Sequence, residues 1–195
     1  MVDRRAENIV LYTAQDEVVL ATLKKDGVCY AKREYVERKY EESAAAFLVA
    51  YEWFAKAAAA LVERPEPAEL PYWAFADADY ASCADYVLTL EVPRAEVVLF
   101  DMFDWTTILQ LNYLGLDAAD EAAFAAEMAA CGLTGYQVMT NRFYPEWQDR
   151  IYDSWQRLFR RHDDLRAGAP ADGSVVVQAA LWQIKAAWVR HVRAC

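Results

Sequence analysis

Gln178 is a polar residue inside an otherwise apolar run, which makes it the first candidate for a chemical role. The run covers residues 175–182 and reads Val-Val-Val-Gln-Ala-Ala-Leu-Trp. A buried primary amide needs partners for both its carbonyl oxygen and its amino group. Either neighbouring groups of a sheet satisfy Gln178, or its side chain contacts a ligand in a cleft.

Three further polar side chains end the first strand-like run of the chain. Tyr12 and Thr13 close the run that begins at Asn8, and Gln15 follows where a helical pattern starts. Strand packing and helix capping, by Thr13 or Asp16, would account for these residues. Because strand ends often carry binding groups, the three side chains are also candidates for ligand contact.

Two large aromatic residues, Tyr72 and Trp73, follow Pro71 in a short strand-like segment. Packing in the hydrophobic core explains both of them. The alternative is a stacking platform for a planar ring, since an aromatic face binds such rings well.

Two acidic residues, Asp101 and Asp104, lie just before Trp105. They indicate a helix N-terminus, at which Asp104 would cap and both carboxylates would complement the helix dipole. A divalent cation would need more oxygen ligands than these two side chains supply. The sequence therefore predicts no metal site.

A basic group of residues, Arg157, Arg160, Arg161 and His162, lies at the end of a helical pattern. Cations complement the dipole at a helix C-terminus, which explains the group without a ligand. An anion or phosphate contact is the alternative, and the acidic residues at 163 and 164 count against it.

The composition limits the class of protein. The chain has 195 residues and a formal net charge of −10, and its hydrophobic fraction of 56% supports a real core. This size predicts one domain over residues 1–195. The acidic balance argues against binding to nucleic acid or to an anionic membrane by neutralising phosphates. The acidic charge is compatible with a small-molecule ligand in a local pocket or with a basic protein partner.

The cysteines and the absence of a signal sequence indicate a cytoplasmic protein. The chain contains no run of about 18 apolar residues, the length that a membrane-spanning helix needs. The four cysteines lie far apart, without the close pairs of a zinc site, and we expect all of them to be reduced thiols. They are Cys29, Cys83, Cys131 and Cys195.

Hydrophobic periodicity predicts an α+β fold with a mixed or antiparallel sheet flanked by several helices. The predicted strands cover residues 8–13, 72–75, 85–92, 96–100 and 175–182, and the third and fourth of them are candidates for a hairpin. A closing helix around Trp188 is an alternative to a longer last strand. The predicted helices cover residues 15–25, 33–41, 43–63, 105–113, 117–131 and 146–161. Neither GxGxxG nor GxxxxGK[ST] occurs, so the usual nucleotide-binding loops are missing.

Three segments together resemble an uncharacterised bacterial family, the domain of unknown function family 3841. They are Leu-Tyr-Thr-Ala-Gln at 11–15, Leu-Phe-Asp-Met-Phe-Asp-Trp at 99–105, and Val-Gln-Ala-Ala-Leu-Trp-Gln-Ile at 177–184. The family carries His and Asn on the helix after the second segment, where this chain has Thr106 and Gln110. The family often ends the third segment in Trp-Glu, and here the second residue is Gln183.

The order of elements is also similar to ADP-ribosyltransferase-like domains, which hold NAD in a cleft of a split sheet. That resemblance implies that Gln178 and Tyr12 face the ligand as catalytic residues. It implies cofactor contacts by Thr13, Gln15, Tyr72 and Trp73, with NAD as the substrate and a role in defence or as a toxin. These enzymes carry a late-strand glutamate that this chain lacks. The alternative function is a non-enzymatic acidic protein that mimics nucleic acid and binds a basic partner.

Overall fold

The computed structural model describes residues 7–82, 85–171 and 173–195. Its strands are β1 (Asn8–Gln15), β2 (Val28–Cys29), β3 (Tyr72–Phe75), β4 (Tyr86–Pro93), β5 (Val98–Asp101), β6 (Val177–Leu181), β7 (Ile184–Lys185) and β8 (Val189–Ala194). Its α-helices are α1 (Glu17–Asp26), α2 (Arg33–Tyr40), α3 (Ala44–Ala58), α4 (Met102–Leu109), α5 (Ala118–Ala130), α6 (Gly135–Met139), α7 (Pro145–Trp155) and α8 (His162–Arg166).

Local sequence signals set several helix ends. α1 ends at Gly27, which adopts a φ of 75° and donates its N–H to the carbonyl oxygen of Leu23. A left-handed residue at this position favours glycine because no Cβ is present to clash. α5 begins after Asp117, whose carboxylate accepts from the N–H groups of Ala119 and Asp120. The predicted cap at Asp117 is therefore confirmed.

Six strands form one antiparallel sheet in the order β5-β6-β3-β1-β4-β8, and β2 pairs with β7 separately. This architecture confirms the α+β class with an antiparallel sheet and several helices. The predicted hairpin between the third and fourth strands is wrong, because β4 pairs with β1 and β8 whereas β5 pairs with β6. A 3-10 turn at Arg94–Glu96 takes the chain from β4 to the far edge of the sheet.

The end of the chain also differs from expectation. Around Trp188 the structure has only a 3-10 turn, Ala186–Trp188, and β8 follows it as an edge strand beside β4.

Each face of the sheet packs against its own hydrophobic cluster. We call one side the aromatic face, where α3 and α4 cover the part of the sheet formed by β5, β6 and β3. Its cluster includes Phe54, Phe100, Trp105, Ala180 and Trp155. We call the other side the aliphatic face, and its cluster includes Leu11, Tyr72, Leu90, Leu99 and Leu181.

The cysteines differ in whether they are free or disulfide-bonded. Cys29 and Cys131 are free, and Cys195 is disulfide-bonded. The expectation of reduced thiols is therefore wrong for Cys195, since wide spacing along the chain does not exclude proximity in space. Cys83 lies outside the described residues.

No helix within the described residues is both long and apolar enough to cross a bilayer.

Candidate functional site

One row of side chains crosses all six strands on the aromatic face. Cα partners in neighbouring antiparallel strands project to the same face, so the register defines the row. From β5 to β8 the row consists of Phe100, Gln178, Phe75, Tyr12, Thr89 and His191. Gln178 and Tyr12, predicted from opposite ends of the chain, are therefore two strands apart, about 10 Å between their Cα atoms.

The sheet is split between β1 and β3. β1 pairs with β4 over eight consecutive residues, from Asn8 to Gln15, but with β3 only where Tyr12 faces Phe75. Outside this pair, the described residues show no further backbone pairing between β1 and β3. We call this interruption of the ladder the split; Thr13 and Gln15 of β1 lie on one side of it, and Tyr72 and Trp73 of β3 lie on the other.

A threonine side chain spans the split in place of a backbone ladder. Thr13 donates through Oγ1 to the carbonyl oxygen of Trp73 at 2.6 Å, and the same Oγ1 accepts from Nε2 of Gln15 at 2.7 Å. Thr13 is buried on the aliphatic face. Thr13 and Gln15 thus hold the edge of the split, and a ligand contact by either of them stays a prediction.

Gln178 is buried on β6, in register with the Phe75–Tyr12 pair at the end of the split, and its side chain has an unsatisfied acceptor. Its side chain is 5% exposed, and Oε1 has no hydrogen-bond partner. It lies between Phe100 of β5 and Phe75 of β3 in the row. Because an unpaired buried carbonyl costs about 1 to 3 kcal/mol, a ligand that donates a hydrogen bond to Oε1 would recover that free energy.

The two aromatic residues of β3 lie on opposite faces of the sheet. Tyr72 is buried on the aliphatic face, where its hydroxyl donates to Sγ of Cys29 at 3.0 Å. Burial, followed by the bond to Cys29, raises the pKa of Tyr72 beyond its ordinary range. Both features favour the core-packing interpretation of Tyr72.

Trp73 belongs to the aromatic cluster above β3. Its Nε1 donates to the hydroxyl of Tyr51 at 3.1 Å, and its ring packs against Phe54, Phe100 and Trp105 with centroids 4.9 to 6.1 Å apart. These contacts occupy the ring. They favour core packing here too, while a stacking role for Trp73 stays a prediction.

Sequence reasoning missed a second aromatic pair at the split. The rings of Phe75 and Tyr80 stack with centroids 6.2 Å apart. Phe75 is partly exposed, Tyr80 is 40% exposed, and Phe75 is in register with Tyr12 and Gln178. This pair is better placed than Trp73 to stack on a planar ring. The signal available in the sequence was the alternation of β3, which sets Phe75 on the same side as Trp73.

The position that differs from the family's Trp-Glu ending lies away from the split. Gln183 follows β6, five residues from Gln178, and donates through Nε2 to Glu96 at 3.1 Å. Both residues line a surface cavity of about 440 Å³ with Glu63, Trp182 and three other residues. Gln183 lies beyond the end of β6 and bonds to Glu96, so it takes no part in the row around Tyr12.

The acidic residues at the start of α4 have structural partners. Asp101, not Asp104, caps the helix, since its carboxylate accepts from the N–H of Phe103 at 3.1 Å. The expected cap at Asp104 is wrong, and Asp104 instead pairs with Arg160 at 3.1 Å. Burial raises the pKa of Asp104, and the nearby charge of Asp101 raises it further.

The acidic residues and the other possible metal ligands do not form a metal-binding cluster within the described part of the chain. Among the residues that the structure describes, no group of three or more His, Cys, Asp or Glu side chains could hold a metal ion.

The family model described as "Domain of unknown function (DUF3841)" matches residues 10–190. The match includes the residues on both sides of the split and ends at residue 190, before His191 of β8. No curated protein and no solved structure shows a significant match to the chain.

Proposed function

The chain belongs to the DUF3841 family, and we propose that it binds NAD in the split between β1 and β3, in the manner of ADP-ribosyltransferase-like domains. The observation that carries the proposal is the unpartnered Oε1 of Gln178, a residue only 5% exposed that lies in register with Phe75 and Tyr12, the single β1–β3 pair at the end of the split. A sheet that divides at its centre is the feature that those domains use to hold the dinucleotide. An amide acceptor at that point would receive a hydrogen bond from the ligand.

Each residue at the split has a role in this proposal. Gln178 accepts from the carboxamide or a ribose hydroxyl of the ligand, and the Phe75–Tyr80 pair stacks on the nicotinamide ring. Tyr12 lies beside Phe75 and contacts the ribose. Thr13 holds β1 against β3 through its bond to the carbonyl of Trp73 and so fixes the position of Tyr12 beside Phe75.

The row bears on the chemistry as well as on binding. ADP-ribosyl transfer breaks the bond between nicotinamide and ribose, and nicotinamide leaves with the bonding electrons. The ribose then carries positive charge until an acceptor nucleophile adds to the same carbon and releases its proton. A carboxylate stabilises that charge, whereas the amide of Gln178 is neutral, and the row contains no Asp or Glu. We therefore expect binding with slow turnover.

The test is a thermal shift of the full chain with NAD, ADP-ribose and nicotinamide. A ligand present at 100 times its dissociation constant adds about 2.7 kcal/mol to the free energy of unfolding. We expect NAD to raise the melting temperature of the native protein and of Gln183→Ala, the control in which a glutamine outside the split is changed. Gln178→Ala and Phe75→Leu should lose most of the shift.

Two outcomes would overturn the proposal. One is the absence of a shift with any of the three ligands. The other is an equal shift in Gln178→Ala and in Gln183→Ala. In either case, the alternative of an acidic interaction protein would be tested next, by calorimetric titration with a polycationic peptide.

Slow turnover is tested separately by release of nicotinamide from NAD, followed by chromatography. Gln178→Glu puts a carboxylate at the site, and we expect faster release from this variant than from the native chain at equal NAD occupancy.

A further inference from the structure

The charge of the chain is distributed unevenly along the sequence. All 30 acidic residues precede position 173, and residues 173–195 contain no Asp or Glu. Three basic residues of this last segment, Arg190, His191 and Arg193, lie on β8. An acidic protein therefore has a basic edge strand on its central sheet.

The register sets part of this basic strand beside the split. His191 faces Thr89, and Thr89 faces Tyr12, so the three side chains share the aromatic face. Arg193 is two residues beyond His191 and projects from that face as well. About 14 Å, or three strand spacings, separate Phe75 from His191.

Neighbouring groups neutralise some basic side chains of the segment but not others. Arg190 donates to Glu91 at 2.7 Å, and Lys185 donates to Glu96 at 2.8 Å. By contrast, His191 and Arg193 are exposed, and neither makes an ion pair or a side-chain hydrogen bond with any residue that the structure describes. The N–H donors of both side chains therefore remain available to a ligand on the aromatic face of the sheet.

We propose that His191 and Arg193 bind the phosphate groups of the nucleotide whose nicotinamide end occupies the split. This inference rests on the proposed function and adds a second contact region to the same ligand. A ring stacked on Phe75 directs its ribose over Tyr12 and Thr89, and the phosphates follow at the distance of β8. The guanidinium of Arg193 presents a planar pair of N–H donors that matches two phosphate oxygens, and the ring N–H of His191 donates to a third.

The experiment is calorimetric titration of the full chain with four probes. They are NAD, ADP-ribose, nicotinamide riboside, which carries no phosphate, and inorganic pyrophosphate. The variants are Arg193→Ala, His191→Ala and the conservative Arg193→Lys. Arg38→Ala is the matched control, because Arg38 is an exposed arginine of α2 whose guanidinium lies over Tyr35, outside the sheet.

The proposal predicts how each substitution changes the affinity for each probe. Arg193→Ala should weaken NAD and ADP-ribose about tenfold and leave nicotinamide riboside unchanged, because only the first two carry phosphate. Arg193→Lys should recover part of the loss, and Arg38→Ala should lose nothing. Pyrophosphate alone should compete with ADP-ribose but bind more weakly. This difference in affinity would show that the site prefers the phosphates of a nucleotide to a free phosphate anion.

Failures of this inference and of the proposed function are distinguishable. If nicotinamide riboside and NAD bind with equal affinity and Arg193→Ala matches Arg38→Ala, the phosphate site is overturned and the split remains a binding site. If ADP-ribose affinity depends on Arg193 but not on Gln178, the phosphate site stands and the proposed function fails. If no probe binds the native chain, both are overturned.

Discussion

The N–H of Leu99 donates a hydrogen bond of 3.1 Å to Nδ1 of His162. β5 is an edge strand, and this bond gives a partner to a backbone donor that would otherwise be unpaired on the open side of the sheet. His162 is only 2% exposed, and its Nε2 has no partner. Since Nδ1 accepts, the ring is neutral with its proton on Nε2.

The neutrality of His162 predicts a dependence of stability on pH. Burial lowers the pKa of His162, the charge of Arg166 lowers it further, and Asp163 opposes the shift. Above about pH 6.5, the ordinary pKa of histidine, neither the folded nor the unfolded form carries a proton on this ring. As the pH falls below that value, the unfolded chain gains the proton first, so the free energy of unfolding should fall until the lowered pKa is reached.

The measurement is the urea midpoint of unfolding at intervals between pH 5 and pH 8. His162→Gln keeps an acceptor for Leu99 and cannot be protonated, so its stability should change less over this range than that of the native chain. His191→Gln, on an exposed strand, should retain the native profile. An unchanged pH slope in His162→Gln would contradict the assignment.

Thr13 provides a second prediction, which concerns the split itself. Thr13→Val has the same shape but loses the bond to the carbonyl of Trp73 and the one from Gln15. Because a partly buried carbonyl is left without its donor, we expect a loss of about 1 to 3 kcal/mol in the free energy of unfolding. Thr13→Ser should restore much of it.

The control for that substitution is Thr22→Val. Thr22 makes only an exposed bond to the carbonyl of Val18 within its own helix. Equal urea midpoints for Thr13→Val and Thr22→Val would mean that the bridge across the split contributes no stability.

Local signals in the sequence were sufficient for several elements but not for their pairing. β3 was predicted with its observed bounds, and Asp117 marked the start of α5 correctly. β8 was missed because no residue of Val189–Ala194 is buried. The segment therefore lacks the alternation of buried and exposed side chains from which strands are predicted. The β4–β5 hairpin was predicted from a short connection, and only long-range pairing with β6 decides against it.

The sequence identified candidate site residues but not how they are arranged. Gln178, Tyr12 and Thr13 were identified from polarity within strands, and the fold sets Gln178 and Tyr12 in one row and Thr13 on the opposite face; a ligand contact by any of them stays a prediction. What the sequence could not give is the register between strands that are more than 50 residues apart. One step of register moves every side chain to the opposite face. A shift of one residue would set Ala74, which shares the face of Tyr72, beside Tyr12 in place of Phe75.

The ion pair between Asp104 and Arg160 gives a third prediction. Burial and the charge of Asp101 raise the pKa of Asp104, while Arg160 opposes the shift. Because the folded-state pKa lies above the unfolded one, ionising Asp104 costs the folded form free energy, and stability falls as the pH rises through that raised pKa. Arg160→Ala removes the opposing charge, so this loss should grow.

The comparison that tests it is a double variant at pH 7. Arg160→Ala leaves a partly buried carboxylate without its partner, and we expect a loss of about 1 to 2 kcal/mol. Adding Asp104→Asn removes the unpaired charge and should restore stability towards the native value. If the double variant unfolds at the same urea concentration as Arg160→Ala alone, the ionised Asp104 carries no penalty.

Gly135, the first residue of α6, gives the last prediction. A Cβ at this position would lie 2.3 Å from the carbonyl oxygen of Leu111 and 2.9 Å from Oδ1 of Asn112. The closer atom belongs to the backbone, and Leu111 is itself held at a φ of 59° in a buried turn, so it has little freedom to move away. The close approach, rather than the backbone conformation of Gly135, therefore requires glycine.

We expect Gly135→Ala to lower the free energy of unfolding by about 1 to 3 kcal/mol, the usual cost of overpacking a close contact. Gly173→Ala is the matched control, since a Cβ there meets no atom within 4 Å. It should leave the stability unchanged or raise it slightly by restricting the unfolded chain. Urea unfolding of the two variants side by side measures the difference, and equal midpoints would show that the turn at Leu111 yields to the added methyl group.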